Sequence, residues 1–230
     1  MKKFSKPVII LAGGFGTRLQ NILKGLPKPL ADINGRPFVS FLVERLRFEG
    51  YNNFIFSLYY EADKIIEFIE REKKLKNCSV QYCIEPKPLG TGGAIAFAVF
   101  KQKIIGNFLV VNADTILENG YKIVGQQESN TIGLIKVNNT SRYGKIVFDE
   151  SFLVQSFNEK KEDSEPGYIN AGIYNLNSQL FLNNDEPPFS LESQLFPALV
   201  TKQCLHAVLL ESSFIDIGVP DDYYKFCSIN

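Results

Sequence analysis

Residues 8–19 read Val-Ile-Ile-Leu-Ala-Gly-Gly-Phe-Gly-Thr-Arg-Leu, an apolar run that ends abruptly in a glycine-rich turn. Such a turn is typical of phosphate-binding sites, because glycine lets backbone N–H groups approach phosphate oxygens without a β-carbon in the way. Arg18 adds a planar, permanently charged group that matches those oxygens. The segment therefore predicts a strand and a phosphate-binding turn, and an ordinary strand-to-helix turn is the alternative.

Two well-known glycine motifs do not fit this turn. A P-loop ends in Gly-Lys followed by Ser or Thr, whereas Gly16 is followed by Thr17 and Arg18. The dinucleotide-binding motif has a third small residue where this chain has Leu19. The turn is therefore not a P-loop, and a dehydrogenase is disfavoured.

A second cation follows the turn closely. Lys28 lies between Pro27 and Pro29, and proline fixes φ and disfavours helix in the residue before it. We therefore predict that Lys28 lies on a stiff extended segment, where it can meet a phosphate. A solvated lysine in a proline-rich connector is the alternative.

Strand-like and helix-like patterns alternate in the first half of the chain. The patterns predict strands at 8–12, 53–58, 79–85 and 107–112, and helices at 39–48, 62–75 and 91–103. This alternation indicates βαβ units, a largely parallel sheet and the α/β class. Ligands of such sheets bind beyond the carboxyl ends of the strands, which is where the glycine-rich turn falls.

The pattern changes after about residue 130 to shorter strand-like runs, as expected for a more antiparallel region. These runs are 131–137, 145–149, 152–157, 168–174 and 204–210, and a last helix is predicted at 221–227. Because no long linker or internal repeat interrupts the chain, we expect a single domain over residues 1–230.

Composition excludes several classes of function. Lys plus Arg and Asp plus Glu both number 25, so no overall basic field attracts nucleic acid or an acidic membrane. No stretch reaches the ~20 apolar residues of a membrane span, and the N-terminus lacks a signal-peptide pattern. The four cysteines show no paired spacing, and we expect a buried free thiol at Cys83. His206 is the single histidine, which argues against a Ser-His-Asp mechanism and excludes a histidine-based metal site. We expect a cytoplasmic protein without structural zinc.

Two aspartates lie where a metal ion can be held. Asp114 comes directly after the apolar strand at 107–112, and a carboxylate at the end of a parallel strand is a natural Mg²⁺ ligand. Asp216 lies between apolar residues, where a carboxylate is costly to bury unless it is paired or metal-bound. The alternative for both is an aspartate that only stabilises the following turn.

A second glycine-rich turn joins a strand to a helix. Residues 89–93 read Leu-Gly-Thr-Gly-Gly, and we expect the exposed backbone of Gly90, Gly92 and Gly93 to hydrogen-bond the edge of a flat heterocycle. A flexible helix N-terminus is the alternative.

A Glu-Lys pair follows the strand-like run at 152–157. Lys160 can meet a second phosphate, and Glu159 can accept hydrogen bonds from sugar hydroxyls. The alternative is a solvated loop charge.

Together these motifs resemble the sugar-1-phosphate nucleotidyltransferase family over nearly the whole chain. The family's characteristic segments correspond here to residues 13–19, 27–29, 89–93, 114, 159–160, 170–172 and 216–220. The resemblance implies a Rossmann-like nucleotide-diphospho-sugar transferase fold, with a mixed, mostly parallel sheet flanked by helices. It also implies a nucleotide-binding half over about 1–130 and a sugar-binding half over about 131–230.

The implied reaction joins an NTP and a sugar 1-phosphate to give an NDP-sugar and pyrophosphate, with Mg²⁺ as cofactor. The resemblance assigns catalysis to Arg18, Lys28, Asp114, Lys160 and Asp216, and metal ligation to Asp114 and Asp216. It assigns nucleotide binding to Leu11, Ala12, Gly13, Gly14, Gly16, Thr17, Arg18, Lys28, Glu85, Gly90 and Thr91. It assigns sugar-phosphate binding to Asn112, Tyr143, Gly144, Glu159, Lys160, Asn170 and Ala171.

Within the family the chain looks most like the D-glycero-α-D-manno-heptose 1-phosphate guanylyltransferases, which make GDP-heptose for bacterial surface polysaccharides such as capsule and lipopolysaccharide. The segments that carry this likeness are 141–144, 169–172, 190–192 and 214–218. The alternatives are mannose-1-phosphate guanylyltransferases, glucose-1-phosphate thymidylyl- or uridylyltransferases, and a catalytically silent nucleotide-sugar sensor. The expected partners are GTP, or another NTP, and a sugar 1-phosphate, without nucleic acid or membrane, and the resemblance admits a homodimer.

Overall fold

One central mixed sheet organises the protein, which we describe from a computed structural model over residues 5–158, 165–182 and 188–229. Its first half consists of β6 (Asn107–Asn112), β1 (Val8–Leu11), β4 (Asn53–Leu58) and β5 (Ser79–Ile84), in that order. Neighbouring strands in this half are parallel throughout. Their carboxyl ends therefore meet at one edge of the sheet, as the alternating sequence pattern predicts.

The second half of the sheet is mostly antiparallel. Its strands are β8 (Thr131–Val137), β9 (Lys145–Phe148), β10 (Val154–Asn158), β11 (Gly167–Asn177) and β12 (His206–Leu210). The long strand β11 pairs antiparallel with β6, β8 and β9, so it joins the two halves. β12 returns parallel to β8. The prediction of a mixed sheet flanked by helices is confirmed.

Helices cover both faces of this sheet. They are α1 (Gln20–Leu23), α2 (Phe38–Phe48), α3 (Ala62–Arg71), α4 (Gly90–Lys101), α5 (Tyr121–Gly125), α6 (Phe196–Thr201) and α7 (Pro220–Ile229). Short 3-10 turns lie at Thr17–Leu19, Lys28–Leu30, Lys73–Leu75 and Ser178–Phe181, and a π-helical turn lies at Leu191–Leu195. Among the described residues, no helix is long and apolar enough to cross a membrane.

Alternate residues of the buried strands enter different cores. Val8 and Ile10 pack in a core with residues of α2 and α3, while Ile9 points to the opposite face and packs with α4 and α6. Burial on both faces explains why these strands are continuous apolar runs. Cys83 is a buried free thiol, as predicted, and burial raises its pKa.

Two small ribbons lie outside the main sheet and have no clear signal in the sequence. β2 (Asp32–Ile33) pairs with β3 (Arg36–Pro37), and β7 (Thr115–Leu117) pairs antiparallel with β13 (Phe214–Asp216). The second ribbon joins the middle of the chain to its C-terminal region. It therefore brings together segments that local patterns cannot relate.

The structure corrects two local predictions. Lys28 begins a 3-10 turn, and only Pro27 before it is extended, with φ −70° and ψ 147°. Proline is compatible with the first positions of such a turn, because no hydrogen bond needs its missing N–H there. The helix expected over 62–75 ends at Arg71, because Glu72 becomes extended and its side chain accepts a hydrogen bond from the N–H of Lys74.

Candidate active site

A cleft of about 330 Å³ opens at the carboxyl ends of β1, β4 and β6. Its walls include predicted nucleotide-binding residues, namely Leu11, Ala12, Gly13, Gly14, Gly16, Lys28, Glu85, Gly90 and Thr91. Asn112 and Asp114 also line it. The parallel strands place these residues together because each lies at or just beyond a strand's carboxyl end or on a connecting turn.

The first glycine-rich turn requires glycine for two separate reasons. Gly16 has φ +63°, which disfavours any residue with a β-carbon. A β-carbon at Gly16 would also lie 2.7 Å from Cγ of Lys28. The turn therefore packs directly on the side chain of Lys28, and glycine permits that approach.

Lys28 and Asp114 form an ion pair inside the cleft. The distance between Lys28 Nζ and Asp114 Oδ2 is 2.8 Å, and their side chains are 13% and 32% exposed. The sequence assigned the lysine to phosphate and the aspartate to metal. In the structure the two groups neutralise each other.

The second predicted metal ligand lies beside the first. β13 pairs Asp216 with Thr115, and the N–H of Ile217 donates a hydrogen bond of 3.0 Å to the carbonyl oxygen of Asp114. Burial raises the pKa of Asp216, and the negative charge of Asp114 raises it further. The N–H of Gly218, 2.7 Å from Asp216 Oδ1, favours the charged form. The two carboxylates therefore converge and repel each other.

This donor set fits Mg²⁺. The ion is commonly bound through one or two carboxylates plus substrate phosphates rather than by a complete protein cage. Within the described ranges, no group of three or more His, Cys, Asp or Glu residues could hold a metal ion. Asp114 and Asp216 supply two hard oxygen ligands whose mutual repulsion a cation would relieve.

Glu85 is a buried carboxylate in the cleft wall, just beyond β5, which lies at the other side of the parallel half from β6. It accepts hydrogen bonds from the N–H of Leu89 at 3.0 Å and from Ser57 Oγ at 3.4 Å. A β-carbon on Gly13 would lie 3.0 Å from Glu85 Oε1, so the turn and the carboxylate are in close approach. Burial raises the pKa of Glu85, and the two hydrogen bonds lower it.

The second glycine-rich turn corrects one prediction. The N–H groups of Gly92 and Gly93 donate to the carbonyl oxygen of Phe189, at 3.0 and 3.2 Å, and are not available to a heterocycle. A β-carbon on Gly90, which has φ +72°, would lie 2.5 Å from that same oxygen. These glycines therefore allow the close packing of Phe189, and only Gly90 of the three lines the cleft.

Thr91 links the same turn to a later segment. Its Oγ1 donates to Glu192 Oε2 and accepts from the N–H of Leu191, both at 2.9 Å. Thr91, assigned to nucleotide binding, lines the cleft, and its hydroxyl takes part in these local hydrogen bonds.

Asn112 and Asn170 both lie close to Gly172, at a bend in β11. The register of β11 shifts between Asn170 and Tyr174, where Gly172 has φ +71°. A β-carbon on Gly172 would lie 2.9 Å from Asn112 Nδ2. Asn170 donates to the Tyr174 hydroxyl at 2.9 Å and accepts from the N–H of Gly172 at 2.8 Å. Ala171, also assigned to the sugar, is buried within this bend.

Tyr143 lies on the loop between β8 and β9 and comes close to Asp216. Burial raises the pKa of Tyr143 to about 12, and the charge of Asp216 contributes to the increase. The Tyr143 ring contacts the Phe214 ring, with centroids 6.0 Å apart. Gly144 follows with φ +78° and donates its N–H to the carbonyl oxygen of Thr140, at 3.1 Å.

Some predicted residues lie apart from the cleft walls or beyond the described chain. Thr17 and Arg18 are exposed and do not line the cleft, although the charge of Arg18 acts on Tyr143. Glu159 and Lys160 lie outside the described residues.

The structure also adds residues that the sequence did not single out. Phe15, Ser57 and Tyr59 line the cleft, and the rings of Phe15 and Tyr59 lie 5.7 Å apart in an edge contact. Ser57 and Tyr59 lie at the end of β4, so the rule that ligands bind beyond strand ends could have found them. Arg142 is a further addition: it forms a 2.7 Å ion pair with Asp222 on α7, and its charge lowers the pKa of Asp216.

Known proteins match this chain over nearly its full length. The family model described as nucleotidyl transferase matches residues 7–228. A D-glycero-alpha-D-manno-heptose 1-phosphate guanylyltransferase of Campylobacter jejuni is 38% identical over 226 residues, which cover 95% of this chain and 97% of that protein. A mannose-1-phosphate guanyltransferase of Schizosaccharomyces pombe is 33% identical, and the match covers 94% of this chain but 61% of that protein.

A solved structure agrees with these matches. HddC from Yersinia pseudotuberculosis, complexed with GMP-PN, has a TM-score of 0.86 and 38% sequence identity. The match covers 98% of this chain and 99% of that one. The similarity therefore extends over the whole fold and includes the region of the cleft.

Proposed function

The chain belongs to the nucleotidyl transferase family, and we propose that it transfers GMP from GTP to D-glycero-α-D-manno-heptose 1-phosphate. The general activity, sugar-1-phosphate nucleotidyl transfer, agrees with the predicted family. The proposal rests on the convergence of Lys28, Asp114 and Asp216, because the first two line a cleft that also contains the buried carboxylate of Glu85. In the proposed function, residues from about 1 to 130 bind mainly the nucleotide, and residues from about 131 to 230 bind mainly the sugar.

The chemistry needs positioning and charge neutralisation rather than a general base. An oxygen of the sugar phosphate attacks the α-phosphorus of GTP in line, and the bond from that phosphorus to the β-phosphate oxygen breaks. The sugar phosphate is already an anion at neutral pH, so no proton must be removed from it. GMP joins the sugar phosphate as GDP-heptose, and pyrophosphate leaves.

The chain's own residues neutralise the phosphates in this scheme. Lys28 and the N–H groups of the first glycine-rich turn face the nucleotide phosphates, with Arg18 nearby and Lys160 assigned to the sugar phosphate. Asp114 and Asp216 would hold Mg²⁺, which supplies positive charge to the phosphate oxygens when bound. Both carboxylates must therefore remain ionised and close together.

Glu85 supports the choice of guanine. An ionised carboxylate accepts about four hydrogen bonds, and Glu85 uses two of them on Leu89 and Ser57. The remaining capacity suits the N1–H and 2-amino groups of guanine, which lie side by side and are both donors. Adenine, cytosine and uracil do not present that pair of donors.

The heptose is supported by the sequence identity of the match. The Campylobacter protein, named for heptose 1-phosphate, is 38% identical to this chain, whereas the Schizosaccharomyces protein, named for mannose 1-phosphate, is 33% identical. Mannose 1-phosphate is the second candidate sugar because of that relative's name. The proposal includes a cytoplasmic location, a homodimer and a product for bacterial surface polysaccharides.

A substrate screen tests the proposal directly. Pyrophosphate release is measured with each of four NTPs against heptose, mannose and glucose 1-phosphates, with Mg²⁺ present. We expect the highest kcat/KM for GTP with the heptose. Turnover only with mannose or glucose 1-phosphate would overturn the sugar assignment, and turnover with another NTP would overturn the base. Absence of turnover with every pair would favour the silent sensor.

A further inference from the structure

Lys28 engages one carboxylate oxygen of Asp114, the aspartate that we propose as a metal ligand. Its Nζ lies 2.8 Å from Asp114 Oδ2, and the lysine side chain is only 13% exposed. The first glycine-rich turn packs on the stem of this side chain at Gly16, so the ammonium group approaches Asp114 along a constrained path. The contact is therefore part of the packed cleft rather than a loose surface ion pair.

The lysine and a divalent cation compete for the same carboxylate. The ammonium group engages one of the two carboxylate oxygens and neutralises the charge that attracts a metal ion, and two cations so close repel each other strongly in a partly buried site. Asp216 retains its mutual repulsion with Asp114 and has no ion-pair partner at contact distance among the described residues. Of the two proposed metal ligands, Asp216 is therefore available to a metal ion, whereas Asp114 is already paired with Lys28.

We propose that the ion pair with Lys28 hinders metal binding at Asp114 until the ammonium group binds a phosphate of the incoming nucleotide instead. The inference rests on the proposed function, because it requires a polyphosphate substrate and a metal held by the two aspartates. It makes Lys28 a gate for the metal as well as a phosphate ligand. Metal and nucleotide then enter together, and the nucleotide-free protein binds the metal weakly.

Removing the lysine charge should therefore tighten metal binding in the absence of nucleotide. Mn²⁺ is titrated into nucleotide-free protein, and free Mn²⁺ is measured by electron paramagnetic resonance. For Lys28→Met we expect the Kd of Mn²⁺ to fall on the order of tenfold, as for loss of one competing hydrogen bond between charged groups. Lys28→Gln keeps a donor without the charge and should give a smaller decrease.

Arg142→Met is the matched control. Arg142 and Lys28 both favour the ionised form of Asp216, but Arg142 pairs with Asp222 and, within the described residues, forms no ion pair with Asp114. Its removal should leave the Kd of Mn²⁺ within about twofold of the wild-type value, as expected for a partly exposed ion pair. In the Lys28→Met background, Asp114→Asn should abolish the decrease in the Kd of Mn²⁺. That result would place the bound ion at Asp114.

Two results would overturn the inference. One is a Kd for both Lys28 variants equal to that of the wild type, with thermal melting showing that at least one of them is folded. The other is an equal gain in Arg142→Met, which would indicate a general charge effect. Wild-type turnover in the substrate screen separates these failures from failure of the proposed function, because the Mn²⁺ titration uses no substrate.

Discussion

The two ends of the cleft are built in different ways. We call one end the base end, because we propose that it binds the nucleobase. There Ser57 and Glu85 lie at the ends of neighbouring parallel strands, and the N–H of Glu85 bonds to the carbonyl oxygen of Leu58 at 2.8 Å. We call the other the acid end, where Lys28, Asp114 and Asp216 come from three distant segments that meet through a small ribbon and an ion pair. The parallel strands of the main sheet therefore set the base end, whereas the acid end also requires the ribbon and the ion pair between distant segments.

This difference separates two kinds of effect. We expect substitutions at the acid end to lower turnover, because the charges there act on the reacting phosphates. We expect substitutions at the base end to change affinity and base selectivity, because in the proposed complex Glu85 bonds the guanine and not the reacting phosphates. The following experiments test that separation.

The largest effect is expected for the two metal-site aspartates. Asp114→Asn or Asp216→Asn should lower kcat on the order of 10²-fold or more, as for loss of one preorganised electrostatic partner. Asp221→Asn changes an exposed aspartate on α7 and should keep nearly wild-type turnover. Nearly wild-type kcat in both site variants would remove the metal assignment.

Asp216→Asn should affect the Tm differently from kcat. Burial and Asp114 raise the pKa of Asp216 in the folded protein, so its ionised form is disfavoured there and costs stability as pH rises through that pKa. Asparagine can still accept the hydrogen bond from Gly218 without that charge. Asp216→Asn should therefore have a Tm at pH 7 no lower than that of the wild type. A clear decrease in Tm would indicate a structural role.

At the base end, Glu85→Gln should raise the KM for GTP by about tenfold, because a carboxylate accepts stronger hydrogen bonds than an amide. The KM for the sugar phosphate should change little, and the preference for GTP over ATP should narrow. A large decrease in kcat with unchanged selectivity would break the separation between the two ends.

The buried Glu85 also predicts a pH dependence of the KM for GTP. Burial raises the pKa of Glu85, so it takes up a proton at a higher pH than an ordinary glutamate. The KM for GTP should therefore increase as pH falls through that raised pKa, and this increase should be absent in Glu85→Gln. Identical pH profiles of KM in the two proteins would contradict the role of the ionised carboxylate.

Between the two ends, Gly16→Ala tests the packing of the first glycine-rich turn. The positive φ and the approach of Lys28 should together lower the free energy of unfolding by about 1–3 kcal/mol. Gly14→Ala is the matched control, because a β-carbon there has no heavy atom within 4 Å and no positive φ. Urea unfolding compares the two, and equal stability would contradict the structural reason for Gly16.

The smallest effect is expected for the ion pair between Arg142 and Asp222. This pair joins the Tyr143 loop to α7, and the arginine is 42% exposed, so it contributes at most about 1 kcal/mol. Arg142→Asp or Asp222→Arg should raise the KM for the sugar phosphate about threefold. The double exchange should restore part of the loss, and equal KM values in all four proteins would exclude a positioning role.

Much of the fold was predictable from local patterns. The parallel strands agree with the predicted strands to within one or two residues, because buried strands are continuous apolar runs bounded by turns. The ribbon of β7 and β13 was not predicted, because each strand has only three residues and carries no period of its own. Local patterns also misplaced the end of α3 and the conformation at Lys28.

The site shows the same division. Glycine-rich turns and strand-end acids marked most of the cleft, because they lie beyond the carboxyl ends of parallel strands, where ligands of such sheets bind. The pairing of Lys28 with Asp114, the addition of Arg142 and the engagement of Gly92 and Gly93 by Phe189 had no signal in the sequence. Each of them depends on a contact between segments far apart in the chain.

The sequence by itself determined the α/β class, the phosphate-binding turn and the family, because periodicity and short motifs are properties of neighbouring residues. Only the tertiary structure decided that Asp114 and Asp216 repel each other at one site and that Lys28 neutralises the first of them. The physical reason is that an ion pair depends on distance in space, and the chain sets that distance only when it folds.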